Sequence, residues 1–477
     1  MTPDKDQRLS PLLIPLLLLC AAITASFMAS SGPVQWMDNG MFLADASLGQ
    51  YFSQSLGPLE HPFFQLFNSL FFQLFGARAL SLVNSILLLP LAWIIFQLAR
   101  SVGAAPRQAL LAAATAVLSH AVFWISTKAE VYLLHTLFVL LAYGVQLGGW
   151  PRLGGPGKLL VIGLLTGLGA ATHQLTFVVL LPLYIQLLYQ HRLRILITVP
   201  GFVLGMAAAF PAIAHDLQSG MNLFEIGRRY LTGSSATVAG TDWEGSMLRF
   251  DDMWHEKNSV CLLLISLLGP QALGLLYPAD NRLRLLWSAA ILNLVFAASY
   301  NVTDRFTFFL PGVALLSIIG VLRLKAWLPS SKAGRVLENL SPLSTPIATL
   351  LVYSLYTHGV IHLPTHTEAL PFRDDIHYFM VPYLPDRSAE QFVQAYEQSV
   401  PEGSLIIADW TPMGALRSAQ VLGMLPRRHL AQCSEAAPVH AYLGHPGVYL
   451  VRLSYCSMIA EQYRLEEWAT GYALHMK

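Results

Sequence analysis

Asp38 and Asp45 stand seven residues apart, just after a long apolar run, in a segment that begins Trp36-Met37-Asp38-Asn39-Gly40. Seven residues are about two helical turns, so both carboxyls share one helical face, and an amphipathic helix is expected to continue over Met41–Ser55. A carboxylate there can take a proton from a hydroxyl. Glu60-His61-Pro62 follows, then Lys128-Ala129-Glu130-Val131-Tyr132, His173 and Asp304-Arg305. The cations and histidines are groups that can meet an anion. Asp38, Asp45, Glu60 and His61 could also supply oxygen and nitrogen ligands to a divalent cation. No tight Asp-x-Asp pair stands near Asp38, and Asp251-Asp252 lies in another loop, so the expectation is chemistry without a required metal. Each residue has a plainer role open to it. Asp38 could cap the helix that begins beside it. Asp45 could be a solvated face residue, and His61 could only shape a turn before Pro62. Lys128 with Glu130, and Asp304 with Arg305, could be structural pairs.

The elements that must position these groups are set by hydrophobicity. Of the 477 residues 54% are hydrophobic and 12% charged, and mean hydropathy is +0.50. Soluble domains carry roughly a quarter charged residues, so the composition excludes a single soluble globule or a disordered chain. Net charge is +1, which gives no field to attract nucleic acid. The charge-free runs are Leu9–Met37, Ala79–Ala99, Gln108–Thr127, Val131–Pro151, Leu159–His191, Ile195–His215, Asn258–Ala279, Leu285–Thr303, Phe306–Leu322 and Asn339–Thr367. A membrane span needs about 20 apolar residues. Leu159–His191 would make a helix of about 50 Å, too long for a core of about 30 Å. Its small, polar centre, Gly169 to Gln174, predicts two spans turning at His173. The total is about eleven, all α-helical, with an additional helix over His61–Ala77 lying in the interface.

This count places the N-terminus in the cytoplasm of a plasma (inner) membrane. The first run reads as an uncleaved anchor; a signal peptide cut near Ala25–Ser31 is the alternative. The inner side then receives fourteen Lys and Arg, Arg100, Arg192, Arg282 and Arg323 among them, and the outer loops before residue 366 receive seven. No Asp, Glu, Lys or Arg falls in the middle of a span, unlike an ion or proton path. The titratable groups named above gather on the outer side over apolar helices, which suits a substrate with a polar head and a lipid tail.

Residues 1–365 form the expected membrane domain. In 366–477 the charges return and no run can span a bilayer. Ser404–Asp409 and Gly447–Leu453 predict strands, and Glu390–Gln398 and Met413–Leu422 helices, giving a small extracytoplasmic α/β domain. Asp409-Trp410-Thr411 closes the first strand, where α/β sheets bind ligands. Cys433 and Cys456 are either bridged or two core thiols.

An acidic residue just after the first span, amphipathic helices in the first outer loop and about eleven spans together resemble the GT-C glycosyltransferases. The chain is most similar to their protein O-mannosyltransferase-like branch, through Asp38-Asn39-Gly40, His61-Pro62, Ala129-Glu130-Val131-Tyr132 and the glycine-rich hairpin Gly167–Thr176. After His61-Pro62 the chain departs from that branch with Phe63-Phe64-Gln65-Leu66. The resemblance implies transfer of a mannose-like sugar, with inversion, from a polyprenyl-phosphate donor to an extracytoplasmic glycan, lipid or protein. It implies Asp38 as general base and Arg305, then His173 and Lys128, at the phosphate. Glu130 would orient the sugar or a partner side chain, Tyr132 would line the donor pocket, and Asp45 and His61 would shape the acceptor side. No cofactor beyond the lipid-linked donor is required. A transporter or flippase of lipid or lipid-linked glycan, and a non-catalytic envelope-glycan assembly factor, are the alternatives.

Overall fold

The computed structural model describes residues 6–49, 51, 61–148, 153–232, 244–252, 257–302, 305–363, 370–433, 439–453, 455–468 and 470–477. Glu60, Asp304 and the expected boundary at 365/366 lie outside the described residues. The chain opens with α1 (Asp6–Ala29), α2 (Met37–Ser47), α3 (Pro62–Ser81) and α4 (Val83–Ser101). Next, α5 (Pro106–Leu118) and α6 (His120–Ser126) meet at 67°. Ser119 is extended at this bend, and the Tyr383 hydroxyl donates to the Leu118 carbonyl there at 2.7 Å. α7 (Tyr132–Gln146) leads to α8 (Gly155–Thr172) and α9 (Leu175–His191), which flank His173.

The stretch Leu175–Gln218 is 44 residues long and apolar. As one rod it would run about 66 Å. Arg192, at φ +51, divides it after α9. Its second half holds α10 (Thr198–Gly205) and α11 (Phe210–Gln218). Beyond come α12 (Leu223–Thr232), α13 (Lys257–Ser266), α14 (Pro270–Gly274), α15 (Asn281–Ser299), α16 (Leu310–Trp327), α17 (Lys332–Leu340) and α18 (Ser344–Thr357).

Among the described residues, six helices are long and apolar enough to cross a membrane, or seven if the α5/α6 pair is one span. The other expected runs fold as shorter pieces. Val131–Pro151 contains only the 15-residue α7. Asn258–Ala279 is split by Gly269 at φ +89 into α13 and α14. The last run contains the 14-residue α18. Helix α16 is the central pillar, with every residue from Leu310 to Val321 buried.

Close backbone approach replaces large side chains where α8 meets α10. A Cβ added at Gly163 would lie 2.0 Å from the Thr198 carbonyl oxygen, and one at Gly167 2.2 Å from that of Phe202. In return, Gly201 and Gly205 each face backbone of α8 at 2.1 and 2.4 Å. Two small-xxx-small motifs thus interlock, as in lipid, where apolar burial between helices supplies no drive.

Helix α3 was expected to lie in the interface, polar on one face. Most of that polar face turns inward: Gln65, Asn68 and Ser69 are buried and Gln73 is exposed, as are the apolar Leu70, Leu74 and Phe75. The helix breaks at Gly76, φ +81.

The last hundred residues fold against α2. α19 (Asp375–Met380) and α20 (Ser388–Ser399) precede β1 (Leu405–Ala408) and α21 (Trp410–Val421). β2 (His429–Gln432), β3 (Val448–Leu450), β4 (Arg464–Trp468) and β5 (Gly471–His475) complete one sheet of order β2-β1-β3-β5-β4. β2, β1 and β3 are parallel, with Leu405 beside His429 and Val448; β5 and β4 run antiparallel. Cys433 and Cys456 are bridged, and Cys20 and Cys261 are free.

Candidate active site

Helix α2 carries the two expected carboxylates. Trp36, not Asp38, occupies its N-cap position, so the capping role is not the one Asp38 plays. Met37 enters the helix at φ +57, a conformation costing a non-glycine residue about 1–2 kcal/mol. The Asp38 Oδ1 instead accepts the indole N–H of Trp410, from the far end of the chain. Burial pushes the Asp38 carboxyl above its ordinary value of 3.8, and the Trp410 hydrogen bond opposes this. Two turns on, Asp45 Oδ2 accepts from Gln65 Nε2 at 3.2 Å. Burial raises its carboxyl too, against the Gln65 bond and the charge of Arg417. Asp45 is therefore held in the α2–α3 contact and is not a freely solvated face residue.

Between the two, Phe42 packs edge-on to His61, ring centroids 5.9 Å apart. His61 begins a cluster. It sits at φ +54 before Pro62, and its Nδ1 donates to the Thr172 carbonyl at 2.9 Å, on the hairpin between α8 and α9. Its ring stacks on His173 at 5.1 Å and 14°. His173 Nδ1 accepts the Leu175 backbone N–H at 3.0 Å, which leaves the proton of the neutral ring on Nε2. Tyr132 (5.1 Å), His135 (5.7 Å) and Phe308 (5.4 Å) surround the His173 ring. Burial holds His61 down to about 4 against its hydrogen bond to Thr172, and burial, with the neighbouring His61 and His135 rings, holds His173 well below the usual imidazole range. Buried His135 has no hydrogen bond at either ring nitrogen among the described residues. In the sequence only its spacing from Tyr132, three residues along one helix, signals it. No group of three or more His, Cys, Asp or Glu suited to a metal ion occurs among the described residues.

Arg305 begins the turn (305–309) that delivers Phe308 to this cluster, but its own side chain is fully buried, with Nη1 donating to the Ala298 carbonyl at 3.1 Å. Lys128 and Glu130 are likewise buried, 3% and 4% exposed, and so are interior groups, not rim charges. Asn84 fixes their turn by donating Nδ2 to the Lys128 and Glu130 carbonyls, both at 2.7 Å. The Lys128 ammonium lies 4.0 Å from the Trp124 ring centroid and 5.0 Å from that of Tyr378. Burial lowers it to about 7, opposed by the charges of Asp386 and Glu130. It lines a small chamber with Gln35, Trp36, Asn39, Tyr378 and Asp386. Asp386, whose Oδ2 accepts from Ser388 Oγ at 3.0 Å while Trp36 Nε1 donates to that same Oγ at 2.9 Å, had no signal in the sequence.

Asp38, Asp45, His61, Tyr132 and His173 thus form one connected region along α2 and the α8/α9 hairpin. Lys128 and Glu130 lie in an adjoining chamber, and Arg305 supports the region from behind. Arg229, beside exposed Arg228, is spent on a buried ion pair with Asp216 at 3.4 Å.

No family model matches the chain, and no curated protein does. Solved structures do. Over 96% of its length the chain is similar to ArnT from Cupriavidus metallidurans bound to undecaprenyl phosphate, with a TM-score of 0.56 and 12% identity, covering 97% of that chain. The apo state of the same protein gives a TM-score of 0.57 at the same identity and coverage. From its first long apolar helix to its C-terminal sheet, the chain has the fold of ArnT.

Proposed function

We propose that the chain is an integral-membrane glycosyltransferase that moves a sugar, mannose-like by the motif resemblance, from a polyprenyl-phosphate donor to an extracytoplasmic acceptor. One observation carries this reading: Asp38, a carboxylate with a raised pKa, opens the first helix after α1 in a fold whose neighbour ArnT has been solved with undecaprenyl phosphate. The eleven-span arrangement, the inner-membrane location and the separate outer domain from residue 366 belong to the same proposal.

The acceptor O–H gives its proton to Asp38 as its oxygen attacks the anomeric carbon. The bond from that carbon to the phosphate oxygen breaks on the opposite face, so configuration inverts and the electron pair leaves with the lipid phosphate. A base with a raised pKa is better matched to this transfer near neutral pH than an ordinary aspartate. The growing negative charge on phosphate would be met by His173 Nε2–H, with Tyr132 lining the pocket. Lys128, Glu130 and Arg305 act from the buried shell, and Asp45 and His61 shape the acceptor side.

Asp38→Asn keeps the shape and removes the base. Membranes bearing this variant should consume no polyprenyl-phosphate mannose probe, at wild-type expression. Undiminished consumption would reject Asp38 as base.

A further inference from the structure

Among the parallel strands, β1 and β3 end side by side, and each sends one charged residue past its end. Arg452 grips Asp409 with two hydrogen bonds, Nε to Oδ2 and Nη2 to Oδ1, both 2.7 Å. Both side chains are nine-tenths or more buried. A fork–fork pair of this kind fixes direction as well as position. Asp409 Oδ1 also accepts the Thr411 backbone N–H at 3.2 Å and so caps α21. The first residue of that helix is Trp410, whose indole N–H reaches Asp38. Helix α21 is pressed on α2 without side chains between: a Cβ at Gly40 would lie 2.3 Å from the Gly414 carbonyl oxygen, and one at Gly414 2.1 Å from that of Met37. The carboxyl edge of the sheet, the usual place for a ligand in α/β folds, here points a donor at the membrane domain's carboxylate.

We infer that Trp410 is a positioning residue for Asp38, set in place by the Arg452–Asp409 pair, so that the C-terminal sheet is a working part of the site and not an appended module. The inference rests on Asp38 being the base, as proposed above. The indole donates to one carboxylate oxygen and leaves the other to take the acceptor's proton. Other titratable groups along this contact are Asp45 on α2 and Arg417 on α21, which act on each other; Asp409 and Arg452 are already paired.

The test uses the full chain in lipid nanodiscs, labelled with 5-fluorotryptophan at its ten tryptophans. The Trp410 fluorine resonance is assigned by its absence in Trp410→Phe. It should titrate with a midpoint above 3.8, and Asp38→Asn should abolish that titration. Arg452→Met, remote from the carboxylate, should shift or broaden the same resonance. A Trp410 resonance indifferent to pH and to Asp38→Asn would overturn the proposal. In membranes, Trp410→Phe should lower kcat for the polyprenyl-phosphate mannose probe about tenfold, as for one lost hydrogen bond to a charged group, with KM nearly unchanged. The acidic limb of its pH profile should move to higher pH. A Trp410→Phe enzyme with wild-type kcat and pH profile would also overturn it. If Asp38→Asn consumed the probe normally while the resonance still followed Asp38, the assignment of the base would fail and the contact would stand. If Asp38→Asn were inactive and the resonance ignored it, the reverse would hold.

Discussion

Asp38 shows how one residue is tuned against the stability of its own fold. Its pKa is raised in the folded chain, so between 3.8 and the raised value the native state holds the proton that the unfolded state has released. Stability then falls as pH rises through that window, and at neutral pH the ionised carboxylate costs stability. Asp38→Asn should therefore unfold at the same temperature as wild type or higher at pH 7, while losing activity; a clearly lower melting temperature would mean the side chain is structural. The histidines run the other way. His61, lowered to about 4, is neutral at pH 7 and unprotonated in the fold where an unfolded histidine, near 6.5, is charged. Between pH 6.5 and about 4 acidification thus weakens the fold. A phosphate bound at His173, on which His61 stacks, would favour positive charge on this pair of rings, so binding would take up protons. Undecaprenyl phosphate should bind more tightly as pH falls from 7.5 to 5.5, and His61→Gln with His173→Gln should flatten that slope, measured in nanodiscs by native mass spectrometry. Asp38 and the histidines could be read from the sequence because each stands at the edge of an apolar run or at a break within one. Trp410 and Asp386 could not be linked to them, since those contacts bridge more than 250 residues and leave no local period.

At the scale of elements, packing in the membrane depends on small residues more than on greasy ones. Gly163, Gly167, Gly201 and Gly205 bring α8 and α10 into backbone contact, and this holds the His173 hairpin at the end of α8. Gly167→Leu or Gly201→Leu would force the helices apart, an overpacking that costs typically about 1–3 kcal/mol. Either should lower the melting temperature in detergent and disturb donor binding. Gly155→Ala, with nothing within 4 Å of its added Cβ, should leave both unchanged; equal effects at all three sites would refute the interlock. The hairpin at His173 was legible because 33 uncharged residues exceed one bilayer crossing. So were β1 and β3, whose centres are apolar and buried. β2, β4 and β5 were not: His429-Leu430-Ala431-Gln432 is a short, half-polar edge strand, Arg464-Leu465-Glu466-Glu467-Trp468 at the other edge carries the charge that keeps an open edge from pairing with another chain, and Gly471–His475 is too short and too polar to stand out. The inward polar stripe of α3 also escaped, because helical spacing separates two faces without saying which one meets lipid.

For the whole molecule, the contact between α21 and α2 sets a parity. The loop after α1 and the C-terminal sheet touch, so they share one side of the membrane, and the chain between them must cross an even number of times. An even total of spans would leave an odd number between these points and is excluded, whereas an odd total, eleven among them, is allowed. In the proposed count of eleven, the short pieces α7, α13 with α14, and α18 each take the place of one crossing. Two features support the proposed extracytoplasmic side. The Cys433–Cys456 bridge persists in an oxidising compartment, and Lys and Arg concentrate in the loops that would then be cytoplasmic. Closing a loop across 23 residues contributes about 3 kcal/mol, so Cys433→Ser should lower the melting temperature and loosen α21 from Asp38. Reporter fusions after Arg100 and Arg192 should read as cytoplasmic, and a fusion after His475 as external. A fusion after Asp38, which truncates everything beyond α1, should agree with the one after His475. Opposite signals from these last two would break the parity and, with it, the claim that one carboxylate and one distant indole meet at the same face of the bilayer.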